Sequence, residues 1–261
     1  YLLRTMHEEY GPYGPARERE FEFVFLILAG LFVAALVVCN LIVQKFFLWE
    51  PFGIEDYFYL SVGILPYPLT FLVTDILSEC YGRRRANQVV MSGLVASVFV
   101  VGVVWFADRI PSIGGVDVDT GEAFPGEQFD HYFHQIFGKT GRAVFASMIA
   151  YLAAQLVDIQ IFHFWRRLTK GKHLWLRNNA STMFSQLVDT TLVVGLLFVG
   201  TESQDRIPQM ILAGWTFKAA AAAIDTPFAY LAVGWFRRRY PKQIAAHDEL
   251  VGAGDPSARV I

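Results

Sequence analysis

The sequence is short of charged residues and of cysteine, and both shortages restrict what the protein can be. Charged residues make up 18% of its 261 residues, whereas about 25% is usual in soluble domains. The hydrophobic share is 54%, and these residues come in long blocks. Cys39 and Cys80 lie in separate apolar segments and form no Cys-x-x-Cys pair, so neither a disulfide framework nor a metal site is indicated. The composition predicts a membrane protein without a cofactor.

Motifs for ATP hydrolysis and for intramembrane proteolysis are also missing. Without a Walker motif the chain cannot hydrolyse ATP alone. Its apolar segments contain no GxGD, HExxH or GxSxG motif, which makes an intramembrane aspartate enzyme the less favoured alternative. His131 and His134 lie three apart beside Asp130, but in a polar segment where a surface role outweighs a metal site.

Six apolar blocks approach or exceed the roughly 20 residues that a helix needs to cross a bilayer. We therefore expect an all-α membrane protein whose six transmembrane helices occupy 21–47, 58–81, 86–107, 142–165, 183–200 and 210–236. The six-helix domain, 21–240, follows a polar segment, 1–20, and precedes a polar tail, 241–261. Segment 1–20 has no apolar core of the signal-peptide type, so we expect the first apolar block to direct insertion.

The connection 108–141 is rich in glycine and aspartate and is too polar to cross a bilayer. Within it, the stretch FDHYFHQIF has aromatic residues at spacings of three and four. This spacing gives a helix one aromatic face, so we predict a short helix at the membrane interface.

Basic residues follow every second span and set the expected orientation. The other three connections carry mainly acidic residues. Because cytoplasmic loops are enriched in Lys and Arg, both termini are predicted to be cytoplasmic and segment 108–141 external, in a multi-pass protein of the inner membrane. The basic residues are Arg83, Arg84 and Arg85, then Arg166, Arg167, Lys170, Lys172 and Arg177, then Arg237, Arg238, Arg239 and Lys242.

Several charged residues nevertheless lie inside the predicted spans, where each costs about 2.5–3.5 kcal/mol on insertion. Such groups bind ligands or join helices through polar contacts, and the sequence leaves both readings open. Five acids face only two lysines, so some of the carboxylates must be protonated, reach arginine side chains at the inner rim, or bind a ligand. The acids are Asp75, Glu79, Asp158, Asp189 and Asp225, the lysines are Lys45 and Lys218, and the polar neighbours include Asn40, Gln155, Ser185 and Gln186.

Two of these charges have structural explanations. Lys45 lies at the outer end of the first span, where its long side chain can reach the membrane surface. Glu79 precedes Arg83 by four residues, the spacing of a helical ion pair. Asp75 has no such partner in the sequence, so it is the better candidate for a ligand.

Prolines interrupt the second span. Pro66 and Pro68 lack an amide hydrogen and disfavour helix in the residue before them. We predict a break there and a helix that starts at about Leu69, as in transporters whose broken helices bind ligands at mid-depth. A simple kink in a continuous helix is the alternative.

The tetrapeptide QLVD occurs twice, at 155–158 and 186–189. In each copy the amide and the carboxylate lie three residues apart, on one face of a helix. Together they can pair with a planar group that offers both donors and an acceptor, such as a purine edge. Lys218 and Asp225, seven apart, likewise share a helix face.

Four stretches resemble the queuosine precursor transporter family, a vitamin-uptake-like group of inner-membrane proteins. They are PLTFLVTDILSECYG from Pro68, ASMIAYLAAQLVDIQIFHFW from Ala146, WLRNNASTMFSQLVDT from Trp175, and Lys218 followed by DTPFAYL. The resemblance runs from the first span to the sixth. It implies import of 7-deazaguanine bases, the cyano or aminomethyl precursors of the tRNA nucleoside queuosine.

This resemblance implies a small-molecule deazapurine partner within the lipid bilayer and no nucleic acid partner. A homo-oligomer stays open, and an ATPase partner is not expected; the alternative is a substrate-binding subunit of an ATP-driven vitamin importer. The expected substrate-binding residues are Asn40, Asp75, Gln155, Asp158, Ser185, Gln186, Asp189, Lys218 and Asp225. Structural or gating roles are expected for Lys45, Pro68, Glu79, Arg83, Arg177 and Asn178.

The orientation is testable by cysteine labelling in a variant without native cysteines. In intact cells an impermeant thiol reagent should label a cysteine at Asp119, because the charge pattern places that loop outside. A cysteine at Lys172 should stay unlabelled until the cells are opened. The reverse pattern would contradict the orientation.

Overall fold

The computed structural model describes residues 14–50, 58–117, 119–168, 174–201 and 204–245. Within its helices some side chains are not described, among them those at 83, 155, 158 and 174–182. The described part is mostly helical. Its helices are α1 Gly14–Leu41, α2 Tyr67–Tyr81, α3 Arg83–Ala107, α4 Gly126–Phe137, α5 Thr140–Leu168, α6 Leu174–Phe198 and α7 Ile207–Arg239.

Two small antiparallel sheets accompany the helices. Strands β1 Phe46–Trp49 and β2 Phe58–Ser61 pair with Phe46 opposite Ser61. Strands β3 Gly115–Val116 and β4 Ala123–Phe124 form the second pair. Short 3-10 helices lie at Val62–Ile64 and Gln204–Arg206.

Three helices among the described residues are long and apolar enough to cross a membrane. They are Ala16–Leu41, Arg84–Ala107 and Gln204–Arg239, and they coincide with the first, third and sixth predicted spans. Residues Met183–Phe198 form a shorter apolar helix. The protein is therefore a helical, multi-pass membrane protein.

The predicted boundary between the first two spans is wrong. We expected helix up to residue 47 and again from residue 58, but α1 ends at Leu41 and both limits fall in the β1–β2 hairpin. The hairpin is rich in aromatic residues, which favour strands. The Phe46 and Tyr59 rings stack across it, with centroids 5.1 Å apart and planes inclined by 7°. Apolar character alone did not separate these strand residues from the helix.

The interruption of the second span is confirmed. Pro66 occupies the N-cap of α2, and Pro68 lies in the first turn, where a missing amide hydrogen removes no helical hydrogen bond. The helix begins at Tyr67, two residues before the expected start. A continuous, merely kinked helix is therefore wrong.

The chain divides into two compact units, of which the first comprises the described parts of 1–36, 66–93 and 222–261. Its core is aromatic at one end, where the Phe21 ring stacks on Tyr81 at 4.1 Å. The Tyr81 hydroxyl donates a hydrogen bond to the main-chain oxygen of Phe21. Phe236 and Tyr240 complete this cluster and tie α7 to α1 and α2.

Ion pairs surround the aromatic cluster of the first unit. Arg239 contacts both carboxylate oxygens of Glu20, at 2.7 and 3.1 Å, and Arg85 contacts Glu22 at 2.7 Å. These side chains are 40–46% exposed, so each pair adds little stability. These pairs instead determine which helix ends lie next to each other.

The second unit comprises the described parts of 37–65 and 94–221. Its Arg142 guanidinium donates hydrogen bonds to the main-chain oxygens of Leu196 and Val199, at 2.6 and 2.8 Å. Leu196 lies in the last turn of α6 and Val199 directly follows it, at the end of the helix where carbonyls have no helical donors. Arg142 thus ties α5 to the end of α6.

The short helix predicted within 108–141 is confirmed as α4. Its Asp130 carboxylate accepts hydrogen bonds from the Ser112 amide, at 3.1 and 3.2 Å. His134 Nδ1 lies 2.7 Å from Asp108 Oδ2. Both contacts hold α4 against the end of α3, which gives these acidic and imidazole groups a structural role.

Gly63 provides a test of the packing below the hairpin. A Cβ added there would lie 2.5 Å from the Cys39 main-chain oxygen and 3.1 Å from Val43 Cα. Because both neighbours are backbone atoms, Gly63→Ala should destabilise the protein by about 1–3 kcal/mol. Gly30→Ala is the matched control, since nothing lies within 4 Å of its Cβ position. Melting temperatures in detergent that fall equally, or not at all, would contradict this packing.

Candidate substrate-binding site

A buried ion pair joins α6 to α7 in the second unit. Lys218 Nζ lies 2.7 Å from Asp189 Oδ2 and donates a hydrogen bond to it. The Lys218 side chain is 7% exposed and that of Asp189 is 16% exposed. Asp189 and Lys218 are both predicted site residues, and the fold brings them into direct contact.

The two helices approach closely because one residue at their interface has no side chain. A Cβ at Gly214 would lie 3.2 Å from Thr190 Cγ2, tighter than ordinary van der Waals contact. One residue further along α7, the Trp215 indole N–H donates to the Met183 main-chain oxygen at 3.1 Å. Glycine and the indole hydrogen bond together fix the spacing at which Lys218 reaches Asp189.

Gln186 precedes Asp189 by one turn of α6, on the same face of the helix as the sequence predicts. Its side chain is buried, with 7% of the residue exposed. Among the described residues, none donates a hydrogen bond to its Oε1 atom. The Thr190 hydroxyl donates instead to the Gln186 main-chain oxygen, at 2.8 Å. Gln186 thus adds a buried acceptor beside the ion pair.

This arrangement combines complementary hydrogen-bonding groups in apolar surroundings. The Asp189 carboxylate accepts hydrogen bonds, and the Lys218 ammonium donates them. A planar ligand whose edge carries N–H donors next to a carbonyl oxygen can satisfy both groups at once. Removal from water strengthens each of these contacts.

Asn40 and Ser185 lie elsewhere in the same unit. Asn40 is buried, and its Oδ1 accepts a hydrogen bond of 2.9 Å from the Ser147 hydroxyl, which joins α1 to α5. Ser185 is half-buried on α6, beside Gln186 in sequence. Lys45, predicted within the first span, lies instead in the exposed turn after α1.

Two other predicted acids, Asp75 and Asp225, belong to the first unit. Asp75 is exposed on α2, and Asp225 is half-buried on α7. Asp225 Oδ2 is itself buried and has no hydrogen-bond partner in the described part of the chain. Both carboxylates thus stay candidates for polar ligands.

The helical spacing proposed for Glu79 and Arg83 is wrong. Helix α2 ends at Tyr81, and Gly82 turns the chain with a φ of 88°, which favours glycine. Glu79 Oε2 instead lies 3.8 Å from Arg237 Nη2 on α7. The Arg83 side chain is outside the described atoms. Glu79 is thus still paired with an arginine, in the structural role that its position in the sequence suggested.

The remaining predicted site residues are described only in their backbone. Gln155 and Asp158 fall within α5, and Arg177 and Asn178 fall within the first turns of α6. Their side chains lie outside the described residues. The first QLVD copy, 155–158, thus lies within one continuous helix, as predicted, and its ligand role stays a prediction.

A family model described as a putative vitamin uptake transporter matches residues 61–232. The chain belongs to this family. The family is one of transporters, and the protein is accordingly not an enzyme. The matched region includes α2, the ion pair and Gln186.

Three curated relatives carry related names. The chain is 31% identical to a probable queuosine precursor transporter of Bacillus subtilis over 211 residues, which covers 78% of this chain and 83% of the relative. It is 23% identical to the queuosine precursor transporter of Escherichia coli over 51% of this chain and 52% of the relative. A probable queuosine precursor transporter of Haemophilus influenzae is 25% identical over 54% and 53%. No solved structure matches the chain.

Sequence reasoning missed two residues that shape the site in this family member. Trp215 lies one turn before Lys218, on the same face of α7, and that spacing could have identified it. Gly214 was not singled out, because a glycine in an apolar helix gives no sign of which neighbour it touches. Both act by setting the distance between α6 and α7.

The ion pair predicts a strong coupling between two substitutions. Lys218→Met removes the ammonium that contacts Asp189 Oδ2 and should destabilise the protein by about 3–5 kcal/mol. The double variant Asp189→Asn with Lys218→Met removes both charges and should regain most of that loss. Melting temperatures of the single and double variants in detergent measure the coupling. A double variant as unstable as the sum of the singles would show that the pair is not coupled.

Proposed function

We propose that the protein imports queuosine precursors, 7-cyano- or 7-aminomethyl-7-deazaguanine, across the inner membrane for salvage into tRNA. Membership of a vitamin-uptake transporter family and the names of the three relatives support this substrate class. The observation that carries the assignment to residues is the buried Asp189–Lys218 pair between α6 and α7. We place the base at this pair.

The chemistry of the base matches the pair. A 7-deazaguanine ring presents its N1–H and its exocyclic 2-amino group beside the 6-carbonyl oxygen. The Asp189 carboxylate accepts from the two donors, as paired N–H groups bind carboxylates elsewhere. Lys218 donates to the neighbouring carbonyl, so its ammonium keeps a hydrogen-bond acceptor when the base occupies Asp189. Aromatic side chains can stack on the flat faces.

The other predicted residues are proposed to complete binding. The aminomethyl precursor is a cation and needs a further carboxylate, a role for which Asp75, Asp158 and Asp225 are candidates. Asn40, Gln155 and Ser185 can hydrogen-bond to the remaining polar edge. Arg177, Asn178 and Pro68 are proposed to support or gate the site.

The proposed topology has six spans with both termini in the cytoplasm. Helices α1, α3 and α7 are three of them, and α2, α5 and α6 are proposed as the others. The basic residues after every second span support this orientation. The β1–β2 hairpin and α4 then lie on the external side.

Transport without an ATPase partner is tested by reconstitution. Purified protein alone in liposomes should take up radiolabelled 7-cyano-7-deazaguanine, because we propose a secondary transporter or facilitator. The double variant Asp189→Asn with Lys218→Met should fold and lose uptake, since it has neither the carboxylate nor the ammonium.

A second ion pair provides the matched control for this experiment. Glu20→Gln with Arg239→Gln also neutralises two charges, but at an exposed contact in the other unit, and uptake should stay close to that of the unmodified protein. Uptake that requires an added ATP-driven module would support the substrate-binding subunit instead. Full uptake by the Asp189 and Lys218 double variant would place the base elsewhere.

A further inference from the structure

The Gln186 amide is a buried polar group that the ion pair does not use. The residue is 7% exposed, and its Oε1 accepts no hydrogen bond from the described residues. The Thr190 hydroxyl, one turn further along the helix, already donates to the Gln186 main-chain oxygen. A buried acceptor without a donor is unfavourable. Gln186 Oε1 is such an acceptor, and it is therefore available to accept a hydrogen bond from a ligand.

The position of this acceptor relative to Asp189 is fixed by the helix. Gln186 and Asp189 are three residues apart in α6, about 4.5 Å along its axis. Two acceptors therefore follow one another along the face of α6 that also carries the contact with Lys218. This spacing suits a group with two hydrogens that point in different directions.

We propose that Gln186 makes the site selective for bases that carry an exocyclic 2-amino group. This inference rests on the proposed function and adds a specificity-determining residue to it. The amine has two hydrogens: one pairs with Asp189 together with N1–H, and the other is directed to Gln186 Oε1. The ligand class is a 2-amino-4-oxo pyrimidine ring fused to a five-membered ring.

The selectivity follows from the protein acceptor that stays without a hydrogen bond when a base without the 2-amino group binds. Such a base still offers N1–H to Asp189 and a carbonyl to Lys218, so it can enter. It leaves Gln186 Oε1 buried without a donor from the base. Sites built from buried hydrogen-bonding groups discriminate strongly against ligands that lack the matching group.

Two bases that differ only in the amine test this inference. Binding of 7-deazaguanine and 7-deazahypoxanthine to the purified full-length chain is measured by calorimetry. The unmodified protein should prefer 7-deazaguanine by about 10- to 100-fold, the usual effect of hydrogen bonds to charged groups. Gln186→Leu removes the acceptor at similar volume and should reduce this preference by about tenfold. Gln186→Met is a second, more adaptable apolar variant should the leucine pack poorly.

Thr191→Val is the matched control, because it removes a polar group from the exposed side of the same helix. It should leave the preference unchanged. The melting temperature of Gln186→Leu should be unchanged or higher, since the substitution removes a buried acceptor without a partner. A purely structural amide would instead lower the melting temperature and weaken both bases equally.

The outcomes separate this inference from the proposed function. If the unmodified protein transports a deazaguanine and both apolar variants keep the full preference for the amine, Gln186 does not read it and only this inference fails. If the unmodified protein binds neither base, the proposed function fails and the inference fails with it.

Discussion

A charge in apolar surroundings needs a partner, and that constraint governs this chain at Asp189 and Lys218. The pair lies between α6 and α7 at 2.7 Å, with little exposure of either side chain. Removing two ions from water costs several kcal/mol each, and their attraction repays this only in good geometry. Gly214 and the Trp215 hydrogen bond supply that geometry by holding the helices close. The close packing of α6 against α7 is therefore what allows both charges to be buried at the site.

The helical class and its interruptions could be predicted from the sequence, because both follow from local rules. Long apolar blocks indicated α1, α3 and α7, and the missing amide hydrogens of Pro66 and Pro68 indicated the break before α2. The hairpin at 46–61 could not be predicted in this way. Its aromatic residues are as apolar as those of a membrane helix, and only their pairing across strands distinguishes them.

The members of the candidate site could be listed from the sequence, but their partners could not. Asp189 and Lys218 were both recognised as charges in apolar segments, and Gln186 as the amide one turn away. Which acid meets which lysine depends on how two helices pack, which is a tertiary property. Glu79 illustrates the same limit: its spacing to Arg83 looked helical, yet Gly82 ends that helix and Arg237 of α7 becomes the neighbour. Local spacing predicts a contact only where the helix continues.

Under the proposed function, the ion pair that joins α6 to α7 would also constrain transport. A base that binds at Asp189 must replace the Lys218 contact, so its own hydrogen bonds have to compensate for the one that is lost. A neutral base achieves this only if it gives Lys218 an acceptor and Asp189 a donor at once, as adjacent carbonyl and N–H groups do. Ligands without that edge would leave a buried charge uncompensated, at a cost larger than one hydrogen bond contributes. On this proposal, the stability of the helix pair and the selectivity for the base have a common origin, in the requirement that neither charge is left alone.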